Sequence, residues 1–354
     1  MYLFQCDYNM MCHPAVLEKM NAMSQLSMVG YGTDDICNKA AAKIRSLCGR
    51  VDIGVHFLSG GTQTNLTMIA AALRPYQAVV AAQTGHISEH ETGAIEATGH
   101  KVLELPAIDG KITAAQIDAL VLKHYTPEGP GPEHSPQPKM VYISMSTELG
   151  TLYSLAELKQ ISAVCKKHGM YLYVDGARLG YALAAKGNDV TLKDMAALCD
   201  AFYIGGTKQG AMFGEAVVII NPALNTDFRY MIKQRGGMLA KGWLMGAQFD
   251  ALLEDDLYFE ISAHANQLAD RIRGTLVKAG FMLNVVNPTN QVFAVMPDAV
   301  LDELGKNFMF TEWTRVDEYH RMVRFCTSWA TKESDVDALC NALMQYAKEG
   351  TQWN

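Results

Sequence analysis

Short apolar runs alternate with amphipathic segments from about residue 52 onward, and this alternation constrains the fold more than any single motif does. The runs "AVVAA" at 78–82, "KVLEL" at 101–105, "MVYIS" at 140–144, "MYLYVD" at 170–175, "AFYIG" at 201–205 and "EAVVII" at 215–220 have strand length and are bounded by Gly, Pro or polar residues. Helical patterns lie between them. In "SLAELKQISAVCKKHG", residues 154–169, Leu155, Leu158, Ile161 and Cys165 share a face, Ser154 can cap one end and Gly169 the other. Such alternation predicts an α/β fold with a mainly parallel sheet.

The 354 residues exceed one typical core, so two domains are expected. After an N-terminal segment at 1–20, a large domain is assigned to 21–253, with a long helix around 222–253. The helix "YFEISAHANQLADRIRGTLVKAG", strands near 281–286 and 291–296, the strand "RMVRFCTS" and a last helix "ESDVDALCNALMQYAKE" make a smaller α+β unit over 254–354. The stretch "YTPEGPGPEHSPQP" at 125–138, with five prolines and two glycines, reads as a loop.

A net charge of -7 and the lack of a Lys/Arg run argue against nucleic acid as a partner. The cysteines Cys6, Cys12, Cys37, Cys48, Cys165, Cys199, Cys326 and Cys340 show no CxxC pair and no metal-ligand spacing. They read as reduced, mostly buried thiols of a cytoplasmic protein without a metal. No apolar stretch approaches the roughly 18 residues of a membrane span, and "MYLFQCDYNMMCHP" lacks a signal-like basic and apolar succession.

Lys208 lies beside two glycines between two apolar runs, in "FYIGGTKQGAMFGEAVVII". An unpaired ammonium is costly to bury, so either this lysine reaches solvent from a loop or its amine is there to react. The glycine-rich turn of "FLSGGTQTNLTMIAAAL", residues 57–73, runs into an apolar helix whose first N–H groups and dipole favour a phosphate. Gly60 and Gly61 allow close approach, and the Thr62 hydroxyl can donate. The lysine of a nucleotide P-loop is missing. In "MYLYVDGARLG", Asp175 stands at the carboxyl end of a buried strand, the edge where open α/β sheets bind ligands. Asp175 and Lys208 are 33 residues apart, about one βαβ unit, with the helical "LKDMAALC" between them. Both are therefore expected at one sheet edge. A phosphate site, an acid and a buried lysine match the three handles of pyridoxal 5'-phosphate: phosphate, ring nitrogen and aldehyde.

The order of "GGTQTN", His86 in "GHISEHE", "DGAR" and "GGTK" resembles the L-threonine aldolase and β-eliminating lyase family of fold-type-I pyridoxal phosphate enzymes. The resemblance extends to "YGTDD" near 31, "RGGMLAKG" at 235–242 and "VRFCTSWATKESDVDAL" at 323–339. It implies an aspartate-aminotransferase-like fold and a Schiff-base role for Lys208. Asp175 would hold the pyridine nitrogen protonated, Gly60, Gly61 and Thr62 would hold the phosphate, Thr207, where many members carry Ser, would be a further cofactor-binding residue, and His86 would stack on the ring. Arg178 and Arg324 would engage the cofactor oxygen and the substrate carboxylate, and Asp7 would contact the substrate. His134 would stand near the substrate hydroxyl, sharing with His86 the candidacy for general base. Lys241 would supply charge to the phosphate from a neighbouring subunit, and Tyr31 would reach toward a neighbouring site. A homodimer or homotetramer with active sites at the subunit interface follows from the same resemblance.

The activity so implied is cleavage of L-threonine, L-allo-threonine and related β-hydroxy-α-amino acids to glycine and an aldehyde. β-Elimination from an aromatic or sulfur-containing amino acid is the alternative, and a non-catalytic phosphometabolite-binding module the remote one. The family's usual "ENTHN" is replaced by "STELG" at 146–150, which reshapes the pocket beside the substrate hydroxyl.

Overall fold

The computed structural model describes residues 1–126 and 131–349. Seven strands form one sheet, in the spatial order Gly54–Leu58, Glu215–Ile219, Ala201–Gly205, Tyr171–Asp175, Gln137–Ser144, Gln77–Ala82, Val102–Leu105. The last five run parallel; Glu215–Ile219 is antiparallel to both its neighbours. The central strands are buried on both faces and read as continuous apolar runs, as a sheet covered by helices on both sides requires. The strand Gly54–Leu58 went unrecognised in the sequence because none of its first four residues is fully buried.

The helix Leu155–Lys167 shows how closely local chemistry sets an end. Ser154 accepts from the Glu157 N–H while Glu157 reaches back to the Ser154 N–H, a reciprocal capping box, and Gly169 follows the last turn at φ +60°. The expected long helix at 222–253 is instead three, Pro222–Asn225, Phe228–Gln234 and Trp243–Leu252. Gly236, at φ +76°, ends the second, and the loop through Gly237 and Gly242 packs against Gln63 and Gly32.

A second, four-stranded antiparallel sheet, ordered Thr311–Arg315, His320–Cys326, Gln291–Pro297, Met282–Val285, is covered by the helices Leu257–Lys278 and Glu333–Glu349. Its core, built on Leu268, Ile272, Val292, Val323 and Leu339, is separate from the cores flanking the large sheet. The chain's start joins this unit: Tyr2–Leu3 pairs with Phe308–Met309, and Phe4 is fully buried in its core. Residues 127–130 of the expected proline-rich loop lie outside the described residues.

Candidate active site

Asp175 ends its strand at the carboxyl edge of the sheet and is almost fully buried. Four donors surround it. Oδ1 accepts from Tyr203 OH at 2.5 Å and the Ala177 N–H at 2.9 Å; Oδ2 accepts from Tyr142 OH at 2.6 Å and Asn65 Nδ2 at 2.9 Å. Burial alone would raise its pKa, but the His86 charge and these hydrogen bonds outweigh it and hold the carboxyl below its ordinary value. The residue after it must be glycine: a Cβ on Gly176 would fall 1.7 Å from the Tyr203 carbonyl.

The neighbouring strand Ala201–Gly205 leads directly into the turn bearing Lys208. That turn is anchored by Glu215, which accepts from the Gly206 N–H at 3.0 Å and Thr207 Oγ1 at 2.9 Å. Thr207 Oγ1 in turn accepts from the Gly214 N–H at 3.1 Å. Its one hydroxyl proton is thus committed to Glu215, so Thr207 shapes the turn instead of presenting a free donor to a phosphate. Lys208 is half-buried, and the turn's hydrogen bonds engage its carbonyl, which accepts Tyr181 OH at 2.5 Å, while its ammonium is left unpaired among the described residues. Burial and then the Arg178 charge depress its pKa, with Asp7, Asp175 and Glu215 opposing. The spacing argument therefore holds in three dimensions: acid and lysine stand at the ends of adjacent parallel strands.

The helix Gly61–Ala72 starts after Gly60 with no side chain capping its first N–H groups. A Cβ at Gly60 would meet nothing within 4 Å. Asn65, on the second turn of this helix, ties it to the acid: Nδ2 donates to Asp175 and, at 2.7 Å, to Glu91 Oε1, while Oδ1 accepts from Tyr173 OH at 2.9 Å. Glu91 Oε1 also accepts from His86 Nδ1 at 2.8 Å. Burial of the His86 ring opposes its charge, but the bond to Glu91 and the charges of Asp175 and Glu91 prevail, and its pKa is raised. The His86 N–H donates to Glu148 Oε1 at 3.0 Å, and Ser144 Oγ donates to the same oxygen at 2.6 Å. Burial raises the Glu148 pKa.

Arg178 donates to both Asp7 oxygens, Nε to Oδ2 at 2.7 Å and Nη2 to Oδ1 at 3.0 Å, which leaves Nη1 outside the pair. Asp7 is fully buried and takes a further bond from Asn290 Nδ2 at 2.9 Å. The expectation that Asp7 touches substrate is corrected: with both oxygens consumed and no exposure, it positions Arg178. Arg324 has no carboxylate partner among the described residues. Nη1 donates to Gln291 Oε1 and Nη2 to the Gln5 carbonyl, both at 3.0 Å, the guanidinium lies 5.2 Å from the Trp313 ring centre, and Nε is buried without a partner.

Three expected site residues lie elsewhere. His134 is exposed, three residues before the strand Gln137–Ser144 begins. It is Ser144, at the far end, that pairs with Asp175. Eight strand residues at about 3.3 Å each put His134 roughly 25 Å away at the opposite edge of the sheet, so within its own subunit it does not reach the edge that carries Asp175 and Lys208. Tyr31 and Lys241 are both exposed and adjoin each other, the Tyr31 N–H donating to the Ala240 carbonyl at 3.2 Å. Lys233 lies over the Tyr31 ring at 5.0 Å. Neither residue is among the hydrogen-bond partners of Asp175 or of the Lys208 turn.

The sequence reading missed Asn65, Glu91, Tyr142, Tyr173, Tyr203, Glu148 and Glu215. A signal was present: each of three adjacent buried strands carries a mid-strand tyrosine, and a buried phenol requires a hydrogen-bond partner.

The family model described as Beta-eliminating lyase matches residues 9–299. A low specificity L-threonine aldolase of Pseudomonas sp. (strain NCIMB 10558) is 33% identical over 92% of this chain and 91% of its own length. A structure of Leishmania major threonine aldolase superposes with a TM-score of 0.95 at 45% identity, covering 98% of this chain and all of that one. Aspartate aminotransferase from Thermus thermophilus, at 14% identity and a TM-score of 0.71 over 97% of this chain and 91% of its own, shares the fold. With its acid, lysine and glycine-rich turn on one edge of an aminotransferase-like sheet, the chain belongs to the β-eliminating lyase family.

Proposed function

We propose that this chain is a pyridoxal 5'-phosphate-dependent aldolase that cleaves L-threonine, L-allo-threonine and related β-hydroxy-α-amino acids to glycine and an aldehyde. The observation that carries the reading is the pairing of a buried, four-donor Asp175 with a Lys208 side chain that has no hydrogen-bond partner among the described residues, on adjacent strand ends. The relatives at 33% and 45% identity are threonine aldolases, which favours aldol cleavage over β-elimination and over a module without chemistry.

The residues fit the cofactor. The uncapped helix start behind Gly60 offers free N–H groups and room for a phosphate, and Asp175 stays anionic, as a protonated ring nitrogen requires. When bound, the cofactor withdraws electrons from the substrate α-carbon. The chain's own residues do the rest. Lys208, its pKa depressed by burial and by Arg178, gives up its proton more readily than an exposed lysine, and its amine would engage the cofactor aldehyde and be displaced by the substrate amine. His86 is held by Glu91 in one orientation with its positive charge favoured, suited to stacking. Arg324 and the free Nη1 of Arg178 would hold the substrate carboxylate and fix which bond is aligned to break.

A homodimer or homotetramer remains part of the proposal, with Tyr31 and Lys241 on a shared exposed patch suited to act across an interface. A cytoplasmic location is in keeping with eight cysteines that form no disulfide and with the lack, among the described residues, of a helix long and apolar enough to cross a membrane.

The test is product analysis of the cofactor-loaded protein with each threonine isomer. Glycine and acetaldehyde in equal amounts support the reading; ammonia and a keto acid overturn it. Lys208→Ala should abolish the borohydride-reducible link to the cofactor, and a link that persists removes Lys208 from its role.

A further inference from the structure

With His134 at the opposite edge of its own subunit's sheet, the β-hydroxyl needs a proton acceptor from the residues around Asp175 and Lys208. His86 is a poor candidate, because its Nδ1 is engaged by Glu91 and its positive form is favoured. Glu148 is also poorly suited: the oxygen that faces its neighbours is fixed between Ser144 Oγ and the His86 N–H.

One helical turn beyond His86 stands His90, at the end of the short helix His86–Glu89. Its ring meets the edge of His86 at a centroid distance of 5.7 Å and the edge of Trp313 at 6.1 Å. Trp313 belongs to the small unit and carries the Arg324 guanidinium on its ring at 5.2 Å. His90 is therefore the imidazole between the group expected over the cofactor ring and the arginine expected to hold the substrate carboxylate. A substrate held between those two anchors would bring its β-carbon toward this ring. Leu149, from the "STELG" turn, packs into the same small apolar cluster as Trp313 and closes that wall.

We propose that His90 is the catalytic base that takes the β-hydroxyl proton in aldol cleavage, an inference that rests on the function proposed above. The hydroxyl O–H bond breaks toward the imidazole, and its electron pair becomes the second bond of the aldehyde carbonyl. The Cα–Cβ bond breaks, leaving its pair on the glycine fragment, which then gains a proton at Cα; the proton on His90 returns to solvent, so the balance is threonine to glycine plus aldehyde.

The electrostatics agree. Partial burial and then the His86 charge lower the His90 pKa; Arg324 and Arg178, from the other elements facing the ring, act in the same direction, and Glu89 alone opposes. Two neighbouring imidazoles are thus driven apart, His86 toward the charged form and His90 toward the neutral one, the pattern that separates an acid from a base.

The experiment uses the cofactor-loaded protein and the variants His90→Phe, which keeps an aromatic ring, and His90→Asn. Three quantities are compared with the parent: glycine binding followed by the cofactor absorption band, exchange of the glycine α-proton in D2O, and threonine cleavage against pH. The expected result is glycine binding and exchange within about threefold, cleavage lowered about a hundredfold, as loss of a general base costs, and disappearance of the acid limb of kcat/KM. Cleavage within twofold of the parent overturns the proposal, as does a parallel loss of glycine exchange, which would make His90 structural. Failure of the parent to form acetaldehyde would instead overturn the function on which the inference rests.

Discussion

Tyr203 donates its hydroxyl to Asp175 Oδ1 at 2.5 Å from the strand whose following turn carries Lys208. The two proposed cofactor contacts are thereby coupled through one buried phenol. A hydrogen bond to a buried charge is worth about 1.5–3 kcal/mol, so Tyr203→Phe should weaken cofactor binding by roughly ten- to a hundredfold, read by absorbance titration, while the covalent link through Lys208 still forms. Unchanged affinity would mean that the other three donors suffice to hold Asp175 anionic.

Gly60 offers a test of the phosphate seat that spares the fold. Its φ of -175° is open to any residue, and a Cβ there meets no protein atom. Gly60→Val should leave the thermal stability of the cofactor-free protein within about 1 °C-scale scatter, in keeping with small effects of surface changes, and yet lower cofactor affinity at least tenfold. Full affinity in the variant would place the phosphate elsewhere.

Burial raises the pKa of Glu215 from 4.5 to about 7 despite bonds from Thr207 and Gly206. Its folded-state value lies above its unfolded one, so its contribution to stability is complete below pH 4.5 and is lost as pH rises through 7. Glu215→Gln removes that dependence. The variant should compare more favourably with the parent at pH 8.5 than at pH 5, by an amount on the order of 3 kcal/mol, in paired denaturation curves. A stability difference that does not change with pH would refute the protonation argument.

His134, at the amino edge of the sheet, should be dispensable within its own subunit. His134→Ala is expected to cleave threonine within about twofold of the parent, since surface changes far from the chemistry have small effects. A loss of more than tenfold would require His134 to act on a neighbouring subunit's site.

The alternation of strand and helix, the glycine-rich turn and the 33-residue spacing of Asp175 and Lys208 were legible in the sequence, because each depends on local periodicity or on the length of one βαβ unit. Parallel strands joined by a crossover end at the same edge, so knowing that two residues close successive strands is enough to bring them together. His134 is assigned by resemblance alone: its loop precedes a strand instead of following one, and a histidine in a proline-rich segment carries no mark of which edge it serves. The helix expected over 222–253 is broken because Gly236 takes φ +76° and Gly237 and Gly242 lie against Gln63 and Gly32, far earlier in the chain.

Only the folded chain could decide the hydrogen bonds around the acid. Asn65, Tyr142, Tyr203 and the Ala177 N–H come from four stretches of sequence, and nothing local to any of them names Asp175 as the acceptor. The same holds for the two imidazoles: one helical turn separates His86 from His90 in sequence, but Glu91 and Asp175 favour the charge on His86, whereas partial burial, the His86 charge and then Arg324 disfavour it on His90. Periodicity determines which residues share an edge. Burial and the charges that packing brings within reach determine what each of them can do there.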